Sequence, residues 1–88
     1  MAERLKGKAA IVVGAGSIGP GWGNGKATAV TFAREGAKVW CVDINPEAAE
    51  ETVGIIEGEG GEARLFRADV TRSAEVAAMV DGCLAVYG

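Results

Sequence analysis

Eighty-eight residues suffice for one small domain with a thin core, because a chain of this size buries only about 60 to 70% of the surface its unfolded form exposes. Apolar residues at 49% and charged residues at 24% exclude a disordered tail, and nine basic against twelve acidic side chains argue against a nucleic-acid or anionic-membrane partner. No histidine and only two cysteines argue against a metal centre and a disulfide framework, and an opening Met1-Ala-Glu-Arg-Leu-Lys leads to the expectation of a reducing cytoplasm.

Ala9 to Val13 is an uninterrupted apolar run, the pattern of a strand buried on both faces of a parallel sheet. At five residues it is far short of the ~20 that span a membrane. Lys26 to Glu35 carries Ala29, Phe32 and Ala33 at helical spacing and stops before Gly36, a suitable C′ residue. Lys38 to Val42 reads as a second strand ending at Asp43. Asn45 followed by Pro46 announces a second helix, since Asn accepts backbone N–H bonds and Pro at the first position sacrifices no needed donor. That helix is expected to run to about Glu57 on an apolar stripe of Ala49, Val53 and Ile56, with the glycines at 58, 60 and 61 ending it. Its glutamates read as a solvated face. Ala63 to Ala68 supplies a third strand. A third helix follows, capped by Thr71 or Ser73, with Val76, Met79, Val80, Cys83 and Tyr87 along one stripe. The order βαβαβα implies a parallel sheet, because only crossover helices return the chain to begin another parallel strand.

Glycine is the compositional anomaly, 14 of 88 residues, and six of them lie between positions 14 and 25. This loop falls between a strand and a helix, where small residues let a pyrophosphate approach the backbone and the helix N-terminus favours its charge. Asp43, at the end of the second strand, stands where a carboxylate receives the adenosine ribose hydroxyls of NAD. The same carboxylate would repel a 2′-phosphate, by roughly 1 kcal/mol per charge at 4 Å in water and about 4 at an effective dielectric of 20. NAD is therefore expected in preference to NADP, with Lys26 and Lys38 as the possible counter-charges.

Val12-Val-Gly-Ala-Gly-Ser17, Gly23-Asn-Gly-Lys-Ala-Thr-Ala29, Ala33-Arg-Glu-Gly-Ala-Lys-Val39, Asp43 and Ala68-Asp-Val-Thr71 together resemble the first third of a short-chain dehydrogenase/reductase. The resemblance implies a three-layer Rossmann-like half unit over residues 1–88, with strand order 3-2-1. It assigns Gly14, Gly23 and Gly25 to the family's glycine signature, Ser17 and Asn24 to the pyrophosphate side, and Asp43 to the ribose. It likewise implies that Asp69 and Val70 contact adenine. Val13 stands where the family usually has a threonine, and the extra residues Ile18 to Trp22 interrupt the signature. That stretched signature is similar to the divergent enoyl reductase branch.

The implied chemistry is hydride transfer to or from a carbonyl or alcohol, but the family's catalytic serine, tyrosine and lysine find no counterparts. Tyr87 is followed only by Gly88 and is expected to pack at a helix end. This chain alone is accordingly expected to be inactive, with a non-catalytic dinucleotide-binding module or an inactive truncated fragment as the alternatives. An apolar first strand without a neighbour on one side is expected to drive self-association through the sheet edge or the helix faces.

Overall fold

The computed structural model describes residues 5–16 and 23–88. Its elements are β1 (Ala9–Val13), α1 (Asn24–Arg34), β2 (Lys38–Asp43), α2 (Pro46–Gly58), β3 (Glu62–Arg67) and α3 (Ser73–Tyr87). The three strands are parallel and lie in the order β1-β2-β3, with Ile11 opposite Trp40 and Trp40 opposite Arg64. The expected strand order 3-2-1 is this same sheet read from the other edge.

Strand alternation divides the core in two, since successive β2 side chains point to opposite faces. Val39 and Cys41 join Val12, Val30, Ala49 and Ile56 under α1 and α2. Trp40 and Val42 join Met79 and Cys83 of α3 on the other face. There Trp40 stacks at a tilt on Phe66 and meets Tyr87 edge-on, with ring centroids 5.4 and 5.7 Å apart. Tyr87 is thus a packing residue at a helix end, as expected.

The helix boundaries follow local chemistry. Asn45 Oδ1 accepts from the N–H groups of Glu47 and Ala48, and Pro46 opens α2. Both α1 and α2 close with the same paired bonds. Gly36 and Ala37 donate to Ala33 and Phe32, and Gly60 and Gly61 donate to Glu57 and Ile56. These are Schellman motifs, which need a left-handed residue after the last turn; Gly36 and Gly60 supply it at φ +96° and +87°. The six glutamates between positions 47 and 62 are all exposed, in accord with a solvated face.

Three expectations need correction. β1 is not buried on both faces: Val12 is buried, but Ile11 and Val13 are 36% and 49% exposed. Both point to the α3 face, where α3 approaches β1 and β2 but a groove lined by Lys8, Ile11, Val80 and Leu84 stays open beside the strand. Neither Thr71 nor Ser73 caps α3. Its N-cap is Arg72, without a side-chain cap bond, because the Thr71 hydroxyl donates instead to Asp69. Of the α3 stripe, Met79 and Cys83 are buried and Val80 stays exposed, on the side toward the open β1 face.

Candidate functional site

The carboxyl ends of the strands gather the residues to which the sequence assigns a role. Gly14 ends β1 at φ +70°, a left-handed turn that disfavours any side chain. The N–H groups of Gly14 and Ala15 both donate to the Val42 carbonyl, at 2.8 and 3.1 Å, so the loop starts as a continuation of the β1–β2 ladder. At its far end Gly23 is the N-cap of α1, Asn24 opens the helix, and Gly25 packs on the Gly14 carbonyl. A Cβ at Gly25 would overlap that carbonyl. The two glycine clusters of the loop therefore touch, which is what brings the start of α1 against the end of β1.

The beginnings of α1 and α2 differ in a telling way. The α2 terminus is satisfied by the Asn45 side chain and has Glu47 in its first turn. Among the described residues the α1 terminus has no side-chain cap bond, and its first turn holds no acid. By position, the start of α1 carries the partial positive charge of the helix dipole.

Asp43 reaches back over the loop. Its Oδ2 accepts from the Gly16 N–H at 3.0 Å and its Oδ1 from the Asn45 N–H at 2.9 Å. It thus organises both the turn into α2 and the glycine loop. Each carboxylate oxygen accepts more than one hydrogen bond, so two N–H donors leave capacity for hydroxyl groups. Beside it a cleft of about 230 Å³ is lined by Val13, Gly14, Asp43, Ile44, Ala68, Asp69 and Val70. That is below the ~300 to 1,000 Å³ typical of sites for drug-sized ligands, the scale of one end of a dinucleotide. Asp69 Oδ1 accepts from both the N–H and the hydroxyl of Thr71, and these bonds hold its carboxyl below the usual carboxylate range. The Asp69 N–H donates to Glu75 at 2.8 Å. A larger depression, about 660 Å³, lies at the opposite end of the sheet around Lys6, Gly36 and Gly60. Ligands of open α/β sheets bind at the carboxyl ends of the strands, which favours the smaller cleft.

Of the residues assigned from sequence, Gly14, Asp43, Asp69 and Val70 line one cleft, and Gly23, Asn24 and Gly25 form the adjoining helix start. Ser17 lies outside the described residues, as do Ile18 to Trp22. Neither proposed counter-charge fits. Lys38 opens β2, five residues and about 16 Å from Asp43. Lys26 is buried, with its ammonium 2.6 Å from Glu51. The sequence reading missed Arg67, the register partner of Asp43 on β3, whose guanidinium leans toward Glu75 at 3.7 Å. It also missed Thr52. A lone hydroxyl residue on the buried stripe of α2, three positions after Ala49 and four before Ile56, was the available signal.

A parallel sheet with helices on both faces and a glycine loop between its first strand and first helix defines a Rossmann-like α/β unit. The model for the short chain dehydrogenase family matches residues 8–88, and the chain belongs to that family. It is 42% identical over 85 residues to the 7alpha-hydroxysteroid dehydrogenase of Escherichia coli K12, covering 97% of this chain and 31% of that protein. A D-threitol dehydrogenase of Mycolicibacterium smegmatis is 40% identical over 85 residues, 97% of this chain and 31% of that protein. The crystal structure of a hydroxysteroid dehydrogenase from E. coli superposes with a TM-score of 0.89 at 42% identity, covering 98% of this chain and 34% of that one. A citronellol catabolism dehydrogenase of Pseudomonas aeruginosa PAO1 gives a TM-score of 0.89 at 32% identity, covering 100% and 35%. The chain spans about a third of the length of the relatives it matches. The family uses nicotinamide dinucleotide cofactors. Among the described residues no helix is long and apolar enough to cross a membrane, and no cluster of acidic or cysteine side chains could hold a metal ion.

Proposed function

We propose that this chain is the NAD(H)-binding portion of an oxidoreductase that moves hydride between the cofactor and an alcohol or carbonyl. One observation carries the reading: the Asp43 carboxylate, at the tip of β2, is hydrogen-bonded to the glycine loop and borders the cleft that Asp69 and Val70 close. In that arrangement Asp43 would receive the adenosine ribose, Asp69 and Val70 the adenine, and the α1 terminus with Asn24 the pyrophosphate. The nicotinamide, when bound, supplies hydride acceptor and donor chemistry; the residues of this chain hold and orient the other end. Catalytic residues are not assigned within it. The names of the relatives, a hydroxysteroid and a D-threitol dehydrogenase, support an alcohol as the substrate class.

NAD rather than NADP follows from Asp43, whose charge opposes a 2′-phosphate. A second reading has its own support in Arg67, which lies beside Asp43 in register and would favour that phosphate. Titration of the 88-residue chain with NADH and NADPH separates them. Saturable NADH binding, weaker NADPH binding and loss of NADH affinity in Asp43→Ala are expected. Equal or tighter NADPH binding, abolished in Arg67→Ala, would replace NAD by NADP, and no binding of either at millimolar concentration would refute the cofactor reading.

A further inference from the structure

α2 fastens the first half of the glycine loop through a hydrogen bond that serves no purpose within the helix itself. A threonine inside a helix ordinarily returns its hydroxyl proton to the carbonyl four residues earlier. Thr52 keeps that bond only as a long one, 3.5 Å to the Ala48 carbonyl, whereas its short bond, 2.7 Å, goes to the Ala15 carbonyl, 37 residues distant in sequence. Thr52 and Ala15 are both fully buried, so neither oxygen has water as an alternative partner. Burial of such groups is costly unless they are paired, which makes this bond specific to one loop position. One turn earlier on the same helix face, Ala48 packs so closely on Gly16 that a Cβ there would overlap its side chain and backbone. The next contact along is the Lys26–Glu51 pair, which ties the first turn of α1 to the same helix. β1, by contrast, ends in Val13 and presents no hydroxyl to the loop.

We infer that Thr52 is a positioning residue for cofactor binding. Its hydroxyl fixes Ala15, and through Ala15 it sets the flanking Gly14 turn and the Gly16 N–H that Asp43 accepts. The orientation of the carboxylate meant for the ribose is thus decided by a side chain on the second helix that touches no ligand. This inference rests on the dinucleotide reading above.

The test uses Thr52→Val, which keeps the branched shape and removes the hydroxyl, and Thr52→Ser, which keeps the hydroxyl. NADH dissociation constants and native-state amide exchange are measured for both variants and the parent chain. An unpaired Ala15 carbonyl is expected to weaken NADH binding about tenfold in Thr52→Val, with Thr52→Ser within about twofold of the parent. Exchange at residues 14–16 should accelerate in Thr52→Val while the α3 amides keep the parent rates. Equal affinities in all three proteins, equal losses in both variants, or faster exchange throughout the chain would each overturn the assignment. If the parent binds no NADH, the cofactor reading fails, and the exchange arm alone decides whether Thr52 fixes the loop.

Discussion

Gly25 and Gly54 both lie within helices, and helix propensity treats them alike: replacing glycine by alanine in a helix interior gains at most about 1 kcal/mol. The surroundings give them opposite signs. A Cβ at Gly54 meets nothing within 4 Å, so Gly54→Ala should realise that gain. For a domain of this size about 1 kcal/mol corresponds to a rise in Tm of about 4 to 8 °C. A Cβ at Gly25 would overlap the Gly14 carbonyl, which is backbone and cannot rotate away. Forcing one more carbon into a closed contact costs typically about 1 to 3 kcal/mol, which exceeds the propensity gain. Gly25→Ala should therefore lower Tm by several degrees and part the two ends of the loop. Thermal unfolding of the two variants beside the parent chain, followed by far-UV circular dichroism, measures both effects. A Gly25→Ala protein stabilised as much as Gly54→Ala would refute the direct contact between the loop ends on which the site is built.

Three further outcomes follow from the same structure. The Thr71 hydroxyl is the largest cause of the lowered Asp69 pKa, so Thr71→Val should raise that pKa toward the ordinary ~3.9. A depressed carboxylate favours the folded state above its unfolded pKa and loses that effect as pH falls through the folded value, so the parent's advantage over the variant should be full above about pH 4 and shrink as pH falls below it. Carboxyl NMR titration checks the shift, and an unchanged Asp69 would contradict the hydrogen bond. Burial pushes the Cys41 thiol up to about 11 and raises Cys83 as well, so neither should react with iodoacetamide at neutral pH until the protein unfolds. Rapid native alkylation of Cys41 would mean that the face under α1 and α2 is open. Ile11, Val13, Val80 and Leu84 expose apolar surface around the unpaired β1 edge, and sedimentation should detect self-association that Ile11→Lys suppresses. A monodisperse parent would contradict this.

What the sequence disclosed was chiefly what local chemistry decides. The Asn45-Pro46 start of α2 and the Gly36 stop of α1 were legible because caps act on their immediate neighbours. The parallel order followed from alternation alone. β1 looked like a doubly buried strand because Ala9 to Val13 is apolar throughout, but apolarity reports what a strand can bury and not whether a neighbour covers it. The α3 start was misread because Thr71 has two possible partners, and Asp69, two residues earlier, takes its hydroxyl. α1 begins two residues before the first expected position because Asn24 and Gly25 continue its turn once Gly23 is in place. At the site, Asp43 and the glycine clusters were found by type and spacing. Thr52 was not, because a lone hydroxyl on the buried stripe marks an unusual position without naming a partner 37 residues away. Arg67 escaped for the same reason: only strand register sets it beside Asp43.

The central claim is that a dinucleotide binds where the glycine loop, the α1 start and the Asp43 cleft meet. Mapping NADH onto the amide NMR spectrum of the isotope-labelled chain tests it most directly. Saturable shifts should concentrate at Gly14, Gly16, Asn24, Gly25, Asp43, Asp69 and Val70. Shifts confined to the depression around Lys6, Gly36 and Gly60, or to the open groove of Lys8, Ile11 and Leu84, would contradict it.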